Sequence, residues 1–242
     1  MATGKTNARW MRFICDEFNL SGDSRELGEF GVSYEETDVT GLSDGVMNFT
    51  LGHPTRVLDG YQAAFATDGT TRSFDVLKAP ETRIISVPIG IRAEPAVGDP
   101  AFLHYANQAS FTHDGDGPVL VTANMPSGVT YTDLERPWGV VLAAGASLDA
   151  TTDGTSVDNG ASSSNGLTAF LHVTATSSGD WVLKVQHSAD DSSWADLITF
   201  SADGSAITAE VGQASGTVNQ YLRFQATRTD GTTTFWVTAA RQ

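Results

Sequence analysis

Cysteine is nearly absent: Cys15 is the single one in 242 residues. No intrachain disulfide can form, which fits folding in a reducing cytoplasm. Basic residues are scarce too. Lys and Arg number 14 against 29 Asp and Glu, giving a net charge of −15 and a pI near 4.5. Nucleic-acid binding through phosphates needs the opposite sign, and no run of Lys or Arg supplies a local patch. Docking on anionic membranes is disfavoured on the same ground. Long hydrophobic runs are missing as well. No stretch approaches the roughly 20 apolar residues of a membrane helix. The apolar stretch around Trp10 to Cys15 is broken by Arg12 and is too short for a signal-peptide core. The chain therefore reads as soluble and as staying where it is made.

Catalytic signatures are also missing. There is no Gly-x-Ser-x-Gly elbow, His-Glu-x-x-His, Walker loop, Gly-x-Gly-x-x-Gly or Cys-x-x-Cys. The histidines are His53, His104, His113, His172 and His187. His172 and His187 fall on candidate neighbouring strands, so a paired metal site is conceivable, but a sound site needs a third ligand and outer support. His113-Asp114-Gly115-Asp116-Gly117 superficially resembles a calcium loop, yet no Glu closes it at the required spacing. A hairpin tip is the simpler reading. Glu35-Glu36 and Asp190-Asp191 are loop neighbours, and Asn48-Phe49-Thr50 matches a glycosylation acceptor by chance. No catalytic residue, metal or cofactor is expected, and the chain reads as a non-enzyme.

What is present is the material of a β protein. Hydrophobic residues make up 40%, enough for a sizeable core, while only 18% are charged. Asp-Gly, which favours the positive φ of tight turns, occurs eight times, for example at Asp59-Gly60, Asp203-Gly204 and Asp230-Gly231. Leu222, Phe224 and Ala226 alternate with Arg223, Gln225 and Thr227, and Phe235, Val237 and Ala239 follow the turn at Asp230. This predicts a hairpin with one buried face. Ala169, Leu171 and Val173, a turn at Ser178-Gly179, then Leu183 and Val185 predict a second hairpin. Ile84–Ile91 reads as an edge or bulged strand because Pro88 interrupts it. Val119–Ala123 and Val140–Ala144 read as strands, and Pro100–Thr112 as one or two.

Val57, Leu58, Tyr61, Ala64 and Phe65 follow helical spacing behind Pro54 and predict a short helix over 54–66. Residues 144–166, almost all Ala, Gly, Ser, Thr, Asp and Asn, read as a long loop that a neighbouring subunit would hold. The tryptophans are Trp10, Trp138, Trp181, Trp194 and Trp236. Trp181 and Trp194 could form a sugar platform, but core packing or subunit contact is the ordinary role of such residues.

The C-terminal third carries a resemblance. Val182-Leu183-Lys184-Val185-Gln186-His187-Ser188-Ala189-Asp190, then Trp194 with Asp196-Leu197-Ile198-Thr199-Phe200, then Val218-Asn219-Gln220-Tyr221-Leu222-Arg223, resembles the tail tube (major tail) proteins of long-tailed bacteriophages. Asp16–Asp23, Glu36–Thr40 and Met47–Gly52 agree with their N-terminal segments in style. The resemblance implies a mostly β fold, an antiparallel β-sandwich or barrel with one short helix. The chain would form a single domain over 1–242, with a possible sub-boundary near 166. A long loop around 25–44 would contact the next ring, and the helix would sit outside. It implies a virion structural protein: homohexameric rings stacked head to tail into a tail tube, assembled in the host cytoplasm, through which DNA is ejected without adhering. Implied partners are further copies, tail terminator and tail tip proteins, and the tape measure protein during assembly. A capsid decoration protein, a tail terminator and a carbohydrate-binding β-sandwich share the composition and stand as alternatives.

Overall fold

The computed structural model describes residues 7–40, 45–91, 93–114, 119–127, 136–177 and 179–242. The first half contains β1 (Ile14–Cys15), β2 (Phe18–Asn19), β3 (Ser24–Glu26), β4 (Glu29–Asp38), β5 (Phe49–Asp59), β6 (Tyr61–Ala64) and the five-residue helix α1 (Ser73–Leu77). β7 (Thr82–Pro88), β8 (Pro100–Asn107), β9 (Ser110–Asp114), β10 (Leu120–Asn124) and β11 (Trp138–Leu148) follow. The rest holds β12 (Thr152–Asp153), β13 (Val157–Asp158), β14 (Leu167–Thr176), β15 (Trp181–Ser188), β16 (Ala195–Thr199), β17 (Thr208–Ala214), β18 (Tyr221–Arg228) and β19 (Thr233–Arg241). The protein is mostly β, as the turn density predicts.

One long antiparallel sheet organises these strands, in the order β17-β14-β19-β11-β8-β7-β1-β2. A smaller sheet, β3-β6-β10-β9, lies over the β7–β8 part. Phe13, Leu58, Tyr61, Ile85, Phe102 and Val121 fill the space between them. A second small sheet, β12-β18-β15-β16 with β13 also on β18, covers the other part. Leu171, Val173, Trp181, Val185, Leu222 and Phe235 pack there. Each such side chain removed from water contributes about 1.5–3 kcal/mol. Alternation along β8 and β14 sends Leu103 and Phe170 to the opposite face, where they join Ala101, Val141 and Ala240 in a third cluster. That face curls on itself. Ser86 Oγ lies 2.8 Å from His172 Nε2 and 2.7 Å from Thr238 Oγ1, bridging strands β7, β14 and β19. The long sheet is a half-barrel with a filled interior.

Several expectations need correction. β18 and β19 do not pair with each other. β18 pairs with β15, whereas β19 pairs with β14 and β11. The turn at Asp230-Gly231, where Gly231 has φ 71°, carries the chain from one sheet to the other. The same holds for β14 and β15. A period of two defines which side chains share a face, not which strand supplies the hydrogen bonds. The predicted turn residue Ser178 lies outside the described residues.

The helix predicted over 54–66 is strand. β5 runs through Asp59, Gly60 turns at φ 76°, and β6 begins at Tyr61. Tyr61 and Ala63 are fully buried against the long sheet, so burial at period two overrides the helical spacing. The one described α-helix lies at Ser73–Leu77. Pro88 does not make β7 an edge: it is the last residue of a strand flanked by β8 and β1. Pro100–Thr112 resolves into β8 and most of β9.

The 25–44 segment is largely strand and not irregular loop, with 41–44 outside the described residues. Residues 144–166 are held by their own chain. β11 continues to Leu148, β12 and β13 pair with β18, and Ser163 bridges Val218. No sheet boundary falls at 166, because β11 pairs with β19 across it.

Candidate functional site

Among the described residues β4 and β5 form a two-stranded arm that joins no other sheet. They pair from Glu29↔Asp59 out to Asp38↔Phe49, with an irregularity between Tyr34 and Glu36. Beyond the strands, Val39 N donates to Asn48 O at 2.9 Å and Asn48 N to Thr40 Oγ1 at 2.8 Å. Ten residues at about 3.3 Å each make the arm roughly 33 Å long. Its root is fixed. Leu58 is buried, and Phe30 packs 5.5 Å from Phe102 and 6.1 Å from Trp138, ring centre to ring centre. Gly28 sits at φ 68°, where a Cβ would collide with the Asp59 carbonyl. Ser127 Oγ accepts from Arg56 N and donates to Arg56 O.

The outer arm is exposed along its described residues. From Ser33 outward, its described side chains are exposed, and Val46 and Met47 reach 72% and 69%. Tyr34, Val39 and Phe49 are more than half exposed. A lone two-stranded ribbon is marginal in water, and a contiguous apolar exposure marks a contact site. The arm also carries Glu29, Glu36, Asp38 and Asp59.

At the arm's root a groove of about 330 Å³ opens between the long sheet and β18, lined by Pro100, Arg136, Trp138, Leu222, Ala239 and Arg241. Trp138 is half exposed there. Arg241 donates to the carbonyls of Ala161, Val218, Asn219 and Gln220, which secures the loop beside the groove. Burial lowers its pKa. Among the described residues Arg136 and Arg241, like Arg9 and Arg25, have no carboxylate partner, whereas Arg12, Arg72, Lys78, Arg83, Lys184, Arg223 and Arg228 do.

The C-terminal residues that carry the resemblance converge on one small sheet, in β15, β16 and β18. Asp196 accepts from Lys184 Nζ at 2.6 Å and Gln186 Nε2 at 2.7 Å. Those bonds, Gln186 first, lower its pKa. Arg223 donates to Gln186 Oε1 at 2.9 Å and covers the Trp194 ring at 4.3 Å. His187 Nδ1 accepts from Asn219 N, and burial lowers the pKa of this ring. Asp190 accepts from the backbones of Ser193 and Ser192, which hold its carboxyl far below the usual range. These side chains pair with one another across β18, β15 and β16.

The other candidates separate. His172 and His187 lie on strands of different sheets. His172 is fully buried, with Nδ1 donating to Asp16 O at 2.6 Å and Nε2 accepting from Ser86. Burial brings its pKa down to about 4. Ser86 and His172 mimic a nucleophile and base, but both are sealed at 0% exposure. His104 is buried on Met125 O, and burial lowers its pKa to about 4. His53 lies in β5, and His113 is exposed in β9. No group of three His, Cys, Asp or Glu among the described residues is placed to hold a metal. Most of the Asp114–Gly117 tip lies outside them. Trp181 is core, and Arg223 covers a face of Trp194, so the two form no open platform. The arm and its groove were missed as a pair; Tyr34, Val39, Val46, Met47 and Phe49 set among polar residues were the available signal.

No family model matches the chain, and no curated protein matches it. Among solved structures, the Dit (gp 19.1) protein of SPP1, described as a paradigm of the hub adsorption apparatus in phages infecting Gram-positive hosts, is similar over 96% of this chain and 99% of its own, at 14% identity and a TM-score of 0.31. At that score the likeness settles neither fold nor role.

Proposed function

We propose that the protein is a virion structural protein of a long-tailed phage, forming hexameric rings that stack head to tail into the tail tube. The observation that carries this reading is the arm: a fixed root, exposed apolar side chains toward its tip, and, among the described residues, no third strand beside it. A self-assembling protein has use for such an element, and a solitary one does not. The tube in particular is supported by the tail-tube-like residues, which share one sheet. The arm occupies the segment that the resemblance assigns to the contact with the next ring.

Charge gives the tube its working property. Each subunit brings −15. A wall with a share of that charge repels DNA phosphates, whereas Lys contacts would release counterions and hold the DNA back. The tail terminator, tail tip and tape measure proteins are the expected neighbours.

Negative-stain electron microscopy of the purified protein across a concentration series tests the reading. Hollow tubes or six-fold rings with a central channel are expected. A stable trimer without a channel would overturn it in favour of a decoration protein.

A further inference from the structure

We propose that the groove at the arm's root is the receptor for the arm tip of a second copy of this chain, with Trp138 seating its apolar side chains and Arg136 facing its carboxylates. This rests on the head-to-tail reading above and adds the receiving surface to it.

Position is the first support. Trp138, in the groove, touches Phe30 at the arm's base, while the apolar tip lies roughly 33 Å away along the ribbon. A knob at one end of a lever and a socket at the other make a heterologous contact. Each copy then offers a free tip and a free groove, and the series does not close along its axis. The offset between successive copies is on the order of the arm's length.

Chemistry is the second support. In a chain of net charge −15, the exposed Arg136 at this groove has no carboxylate partner among the described residues, while the Arg241 guanidinium is taken up by four backbone carbonyls. The arm presents the complement: Glu36 and Asp38 beside Val39, Val46, Met47 and Phe49. Exposed Trp and Arg are the residue types that dominate binding energy at protein contacts. A polyanion would meet the repulsion of the whole chain, whereas the arm brings only a few carboxylates and an apolar surface.

The test uses the full-length chain. Arg136→Glu and Asp38→Arg are both surface changes, and unfolding midpoints equal to wild type verify that each variant folds. Each alone is expected to raise the concentration needed for assembly on the order of tenfold, and combining them in one chain is expected to restore it. Unchanged assembly in both single variants would overturn the groove while leaving the tube intact. A pairwise readout does not depend on tubes. Cys15 is buried, so Met47→Cys and Asn159→Cys, the latter at the groove wall, each place one reactive thiol at the surface and leave Arg136 in place. A short bismaleimide is expected to link a mixture of the two variants, and neither variant alone. Absence of that link in the mixture, whether or not tubes form, would overturn the proposal. Tubes without the link would refute the groove alone, and the link without tubes would refute only the tube.

Discussion

Phe224 and Phe235 meet edge to face with ring centres 5.5 Å apart, yet they stand on different sheets. The turn between them folds one sheet over the other, and the two rings pin the fold-over. Phe224→Ala and Phe235→Ala should each cost about 3–5 kcal/mol in denaturant unfolding. The double variant should cost less than their sum, because each ring is the other's neighbour.

Alternation at Leu222, Phe224 and Ala226 made the buried face legible in the sequence, but it carries no information about partners. The arm was read as loop for a related reason. Ser33 to Asp38 shows no buried face because the described side chains there are exposed, so no hydrophobic period marks the strand. The false helix over 54–66 arose from spacing that a single positive-φ residue, Gly60, breaks. α1 spans only five residues, too few for a period to register. The Ser86–His172 link joins residues 86 apart and had no local signal at all. The C-terminal cluster was the most legible part, since its residues lie in three strands of one sheet.

Acid should loosen the half-barrel. His172 and His104 are buried neutral, each with its pKa lowered to about 4 from about 6.5. Between those values the unfolded chain binds more protons, so the stabilising contribution is complete above about pH 6.5 and is lost as pH falls through 4. The loss approaches on the order of 3 kcal/mol per histidine. The Tm measured from pH 7 to pH 4 should fall, and His172→Gln should flatten that slope while lowering stability at pH 7.

Arg83 is the buried tie between α1 and the N-terminal turn. Its guanidinium reaches Asp16 at 2.9 Å, the carbonyls of Val76 and Ala79, and Gln108. Arg83→Met should cost about 3–5 kcal/mol, since Asp16 would stay behind without its cation. Chemical denaturation of the two chains compares them directly.

Replacing residues 33–55 by a short Gly-Ser turn removes an outer arm whose described side chains are exposed. The unfolding free energy should change by no more than about 0.5 kcal/mol, and sedimentation should show assembly abolished. A large loss of stability would mean that the arm belongs to the fold.

Electron cryomicroscopy with helical reconstruction of the assembled protein tests the central claim most directly. The expected result is six-fold rings stacked head to tail around an open channel with an acidic wall, each arm reaching into the next ring. A closed oligomer without a channel, or a channel lined by basic side chains, would contradict it.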